Sequence, residues 1–164
     1  MALRNMACRY QADEIPPEEL PMLAAELLAE GVDTPTLCEL AGLSRRADVR
    51  DIRDTFEQAV REAGIGFPGR VLARRHAMRR IAARLVDGEI AALDPAADDW
   101  EDTETETAEE RAFTALLPPC TCCLAHTLDT DQRTWEARLR RAALALIAAP
   151  PTGPCCRPAP CAKQ

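Results

Sequence analysis

Cys120, Cys122, Cys123 and His126 are the residues whose types and spacing could do chemistry. Cys120 and Cys123 have the C-x-x-C spacing that lets two thiolates meet one Zn²⁺, and His126 follows at the same interval with an imidazole ligand. A structural zinc site takes four ligands, so the tail cysteines, Cys155, Cys156 or Cys161, would have to fold back over a path of about thirty residues. The expected metal set is Cys120, Cys123, His126 and Cys155, with zinc as the cofactor it would hold. Two other readings stay open for the same residues. Cysteine packs well as a small buried side chain, and two neighbouring thiols can form a reversible pair. A nucleophilic Cys123–His126 dyad would need a third group to orient the imidazole, and the sequence does not identify one.

A second constellation is basic. Arg70, Arg74, Arg75, Arg79, Arg80 and Arg84 fall at helical spacing with no acid among them, which puts the guanidiniums along one broad side of a helix. Close behind comes a stretch from Asp94 to Glu110 with nine acids, no base, and Trp100 as its only large apolar residue. Like charges at i, i+4 repel, so the acidic stretch or a partner is expected to neutralise the arginines. Arg74, Arg75, Arg79 and Trp100 are the candidate interaction residues. No aromatic residue interleaves with the arginines, which removes a stacking platform for single-stranded nucleic acid.

These groups sit in a chain of 164 residues with 27 acidic and 20 basic side chains, a formal net charge of -7. Such a balance disfavours nucleic acid and anionic membrane as partners. Residues 37–56 look superficially like a helix-turn-helix, but the second helix would present Asp48, Asp51, Asp54 and Glu57 to phosphates. No P-loop, G-x-S-x-G, H-E-x-x-H or G-x-G-x-x-G occurs, and the expected protein is not an enzyme. The first ten residues lack the apolar run of a secretory signal, and the longest apolar stretch is about half of what a bilayer requires. The expected setting is the cytoplasm, with thiols reduced or metal-bound.

The elements that must position these residues all read as helices. Pro16, Pro17, Glu18 and Glu19 open a stripe of Leu20, Leu23, Ala24, Leu27 and Leu28 that Gly31 ends. Pro35 to Gly42 is a short second helix, and Asp48 caps a third with Ile52, Phe56, Ala59 and Val60 on one face. The arginine helix is expected over 68–87. A capping box of Thr107 and Glu110 starts a short helix with Phe113, and a last helix carries Trp135, Leu139, Ala143 and Leu146. The fold class is all-α, a compact bundle of five to six short helices. The expected organisation is a flexible N-terminus over 1–15 and a single helical domain over 16–149. Within it lies an acidic linker at about 94–107, and a Pro/Cys-rich tail over 150–164 is disordered or tied by metal.

The segment PPEELPMLAAELLAEGVDTPTLCELAGLSRRADVRDIRDTFEQAVREAG, residues 16–64, resembles the opening of small conserved hypothetical proteins of actinobacteria. The resemblance rests on helix-packing patterns, covers under a third of the chain, and implies no activity and no functional residues. Two functions remain. The first is a non-catalytic regulatory protein that binds an unidentified protein partner through a helical face or through the acidic segment around Trp100. The second is a zinc or thiol module built on Cys120, Cys122, Cys123 and His126.

Overall fold

The computed structural model describes residues 2–44, 46–97, 100, 103–117 and 131–150. Among them the chain is all-α, with seven α-helices and no strand. No helix among the described residues is long and apolar enough to cross a membrane. The described chain divides into two compact units, the first running through Ala73 and the second starting at Arg74, where one helical domain was expected.

The first unit contains α1 (Ala2–Gln11), α2 (Leu20–Ala29), α3 (Pro35–Gly42) and α4 (Val49–Glu62). The segment expected to be flexible is a helix. Its Leu3, Met6 and Ala7 repeat at the i, i+3, i+4 spacing of a buried face, and they pack with Leu20, Ala24, Leu27, Leu37, Leu40, Ile52, Phe56 and Val60 in one apolar cluster. That helix raises the count above the five or six expected. Three rings finish the core: Tyr10 meets Phe56 edge-on at 5.1 Å, and Phe67 lies 5.8 Å from Phe56.

Local polar groups close the helix ends. Thr34 caps α3 by accepting from the Leu37 amide at 3.2 Å, with Pro35 in the first turn, and Asp48 caps α4 through the Arg50 amide at 2.8 Å. The last turn of α2 ends in a left-handed residue, Gly31 at φ 87, where the Val32 amide reaches back to the Leu27 carbonyl and the Gly31 amide to that of Leu28. The end of α1 makes the same pair of bonds, Glu14 to Arg9 and Asp13 to Tyr10, but its left-handed residue is Asp13 at φ 62.

The second unit takes up the body of α5 (Arg70–Asp87), then a 3-10 turn (Asp94–Ala97), α6 (Ala108–Thr114) and α7 (Gln132–Ala148). Its apolar residues include Met78, Leu85, Phe113, Trp135, Leu139, Ala143 and Leu146. The capping box stands as the sequence implied: Thr107 accepts from the Glu110 amide and Glu110 accepts from that of Thr107. Asp131 caps α7 through the Thr134 amide at 3.0 Å. The acidic stretch is solvated only in part: Asp94, Glu104 and Glu106 are exposed, while Trp100, Thr103 and Glu110 are buried.

Candidate functional site on the arginine face of α5

Arginine side chains at helical spacing stay exposed unless each finds acceptors, because an unpaired charge cannot leave water cheaply. On α5 they find them. Arg75 is 3% exposed and Glu110 is fully buried. The Arg75 Nε lies 3.0 Å from both Glu110 carboxylate oxygens, and Nη2 lies 2.9 Å from Oε1. The remaining Nη1 pairs with Glu106 Oε2 at 2.5 Å. Glu110 also accepts the backbone amides of Glu106 and Thr107, so one carboxylate both caps α6 and fixes α6 to α5. Burial alone would push the Glu110 pKa up, but the Arg75 guanidinium and the two amides outweigh it and hold the carboxyl below its ordinary value.

Arg74 lies over the Trp100 ring, 5.3 Å from its centroid, and donates to Thr103 Oγ1 at 3.2 and 3.3 Å. Trp100 is held in turn by its Nε1, which donates to the Pro95 carbonyl at 2.7 Å. Arg79 reaches the C-terminal end of α7, where it donates to the carbonyls of Leu146 and Ala149 at 2.8 Å and of Pro150 at 3.2 Å. These carbonyls have no intrahelical partner and carry the negative end of the helix dipole, so a guanidinium there satisfies both. Arg140 of α7 does the reverse, donating to the Leu85 carbonyl near the end of α5. Arg79 thus meets residues 146–150 and Leu85, further along α5, meets Arg140, earlier in α7, so the two helices run in opposite directions.

His76 sits between these arginines, 5% exposed, with no hydrogen-bond partner for Nε2 among the described residues. Burial is the largest influence on it, followed by the charges of Arg80, Arg79 and Arg75, and together they outweigh Glu110 and lower its pKa. The ring is neutral at pH 7.

Of the interaction candidates, Arg74, Arg75, Arg79 and Trp100 are therefore all engaged within the second unit. The metal candidates Cys120, Cys122, Cys123, His126 and Cys155 lie outside the described residues. Among the described residues, Cys8 is buried, Cys38 is exposed, and no group of three metal-ligating side chains comes together. Sequence reading missed Glu110 as the partner of Arg75, because the capping box had already accounted for its carboxylate. It also missed Arg79 and Arg140 as caps of distant helix ends, for which spacing along the chain carries no signal. No protein-family model, curated protein or solved structure matches the chain.

Proposed function

We propose that this is a small, non-catalytic helical protein that acts by binding a protein partner. The supporting observation is the outward face of α7. Opposite the buried Trp135, Leu139, Ala143 and Leu146, its last two turns leave Leu144 50% and Ile147 37% exposed, beside exposed Ala145 and Ala148. Large aliphatic side chains at i, i+3 on one helix are the anchors that a partner's apolar groove takes up. The arginine chemistry of α5, by contrast, is spent on Glu110, Thr103, Trp100 and the end of α7. In this reading the protein works in the cytoplasm and nucleic acid is not its partner.

The test is affinity recovery from source cells followed by reconstitution from purified components, with the wild-type chain beside a Leu144→Glu, Ile147→Glu double variant. A stoichiometric partner that rebinds the wild type and loses at least about tenfold in affinity to the double variant supports the reading. A partner that binds both equally removes α7 as the surface.

A second reading, a zinc or thiol module, rests on the C-x-x-C-x-x-H spacing of Cys120, Cys123 and His126. One structural fact favours it: Trp135 Nε1 donates to the Leu116 carbonyl at 2.9 Å, so the chain on either side of the cysteine cluster is tied together. Elemental analysis of protein purified without chelator decides it. About one zinc per chain supports the module, and metal-free protein with titratable thiols rejects it.

A further inference from the structure

The first unit carries a groove of about 390 Å³ where the end of α1 meets the side of α4 and the first residue of α5. Its polar lining is Tyr10, Gln11, Asp13, Arg53 and Arg70, over an apolar patch that includes Ile15. Two guanidiniums in one groove stand out against their surroundings, because residues 10–44 hold eight acids and no base. Arg53 forms no ion pair among the described residues. Arg70 has one, to Asp13 at 2.7 Å, and both of its members are mostly exposed.

Asp13 is the second observation. It occupies the left-handed position that closes α1, where the matching position after α2 is Gly31 and that after α4 is Gly64. An aspartate tolerates this conformation less well than glycine. What it adds is a carboxylate, and the structure sets that carboxylate on Arg70, at the groove. The phenol is also held in place. Its ring is wedged against Phe56 at 5.1 Å and Phe67 at 6.4 Å. A phenol is protonated at neutral pH, so the hydroxyl is a donor; burial raises its pKa further, with Arg53 opposing and Glu57 and Asp13 reinforcing that effect.

We propose that this groove binds a small organic anion through the guanidiniums of Arg53 and Arg70 and the Tyr10 hydroxyl, with Asp13 as the resident counterion that the ligand displaces. The volume is at the lower end of small-molecule sites and suits a metabolite rather than a polymer. Guanidinium forks match carboxylate and phosphate oxygens alike, so the ligand class is a compact anion carrying one of these groups. The site is lined by residues of the first unit and does not depend on the function proposed above.

The experiment is a calorimetric and NMR titration of the full chain with inorganic phosphate and, separately, with acetate, at ionic strength held constant with sodium chloride. Saturable binding with shifts at Tyr10, Arg53 and Arg70 is expected. Arg53→Gln and Arg70→Gln should each weaken it about tenfold. Both side chains are exposed, so the variants should keep the wild-type circular dichroism. Asp13→Asn should tighten binding several-fold, the opposite of what loss of a merely structural ion pair would do. Preference for phosphate marks a phosphorylated ligand, and preference for acetate a carboxylate. No saturation up to tens of millimolar, or equal binding by wild type and both arginine variants, would overturn the proposal.

Discussion

The two units of this protein solve the same packing problem with different chemistry. The first is closed by aliphatic and aromatic side chains, with capping residues at the helix ends and left-handed turns after α1, α2 and α4. The second has an aliphatic seam too, but places Arg75, His76, Thr103 and Glu110 inside it and lets arginines close the ends of distant helices. An apolar core tolerates imperfection gradually, by contact area. A buried ionic network fails abruptly when one member is removed, because the other is left charged and unpaired. The difference teaches where each unit is vulnerable.

The largest expected effects break that comparison at its two centres. Arg75→Ala or Glu110→Ala should destabilise the second unit by about 3–5 kcal/mol, measured by denaturant unfolding. Phe56→Ala in the first unit should cost a similar amount, about 3–5 kcal/mol. The two cases separate on rescue. Replacing the pair by Arg75→Met with Glu110→Leu should recover most of the loss, since well-packed apolar groups commonly match a buried ion pair in stability. No change of charge should recover Phe56→Ala.

Acidification sharpens the contrast further. His76 has a lowered pKa in the folded state and an ordinary value of 6.5 when unfolded, so the unfolded chain takes up its proton first. Stability from this group is present above pH 6.5 and is lost progressively as pH falls below that value toward the folded-state one. Glu110 is also lowered, from 4.5, so its contribution is present above that pH and is lost as pH falls toward the folded-state value. Thermal unfolding followed by tryptophan fluorescence reports the second unit, which holds Trp100 and Trp135. Its midpoint should begin to fall below about pH 6.5, and His76→Leu should delay the fall to below about pH 4.5.

The smallest effects concern the turns. Gly31→Ala should cost about 1 kcal/mol, because φ 87 strains any residue with a Cβ. Asp13→Gly should instead stabilise by up to about 1 kcal/mol, because an exposed ion pair contributes little against the relief of a left-handed aspartate. A gain there, paired with tighter anion binding, would show a carboxylate kept as the groove's displaceable counterion rather than for folding.

Most of the first unit was legible in the sequence. Pro35, Asp48, Gly31 and the stripe of Leu20, Ala24 and Leu27 announce their roles locally, through backbone geometry and helical period. The helix at residues 2–11 was legible by the same spacing and was overlooked for its place at the end of the chain. Neutralisation of the α5 arginines by the acidic stretch was anticipated as a charge balance. Its atoms were not, because pairing across 35 residues between Arg75 and Glu110 depends on how helices pack and leaves no periodic trace. Thr103 was lost in a composition that reads as solvated; Trp100 was singled out as an interaction residue but not as the seat of Arg74, although one aromatic ring among nine acids is a natural place for a neighbouring arginine.

The central claim is that the second unit is held by the Arg75–Glu110 pair, and a double-mutant cycle with Arg75→Ala and Glu110→Ala tests it most directly. Strong coupling is expected: the double variant should be no less stable than either single variant, with an interaction energy at least as large as one single loss, about 3–5 kcal/mol. Simple additivity of the two losses would contradict it, and would mean that each residue acts through packing alone.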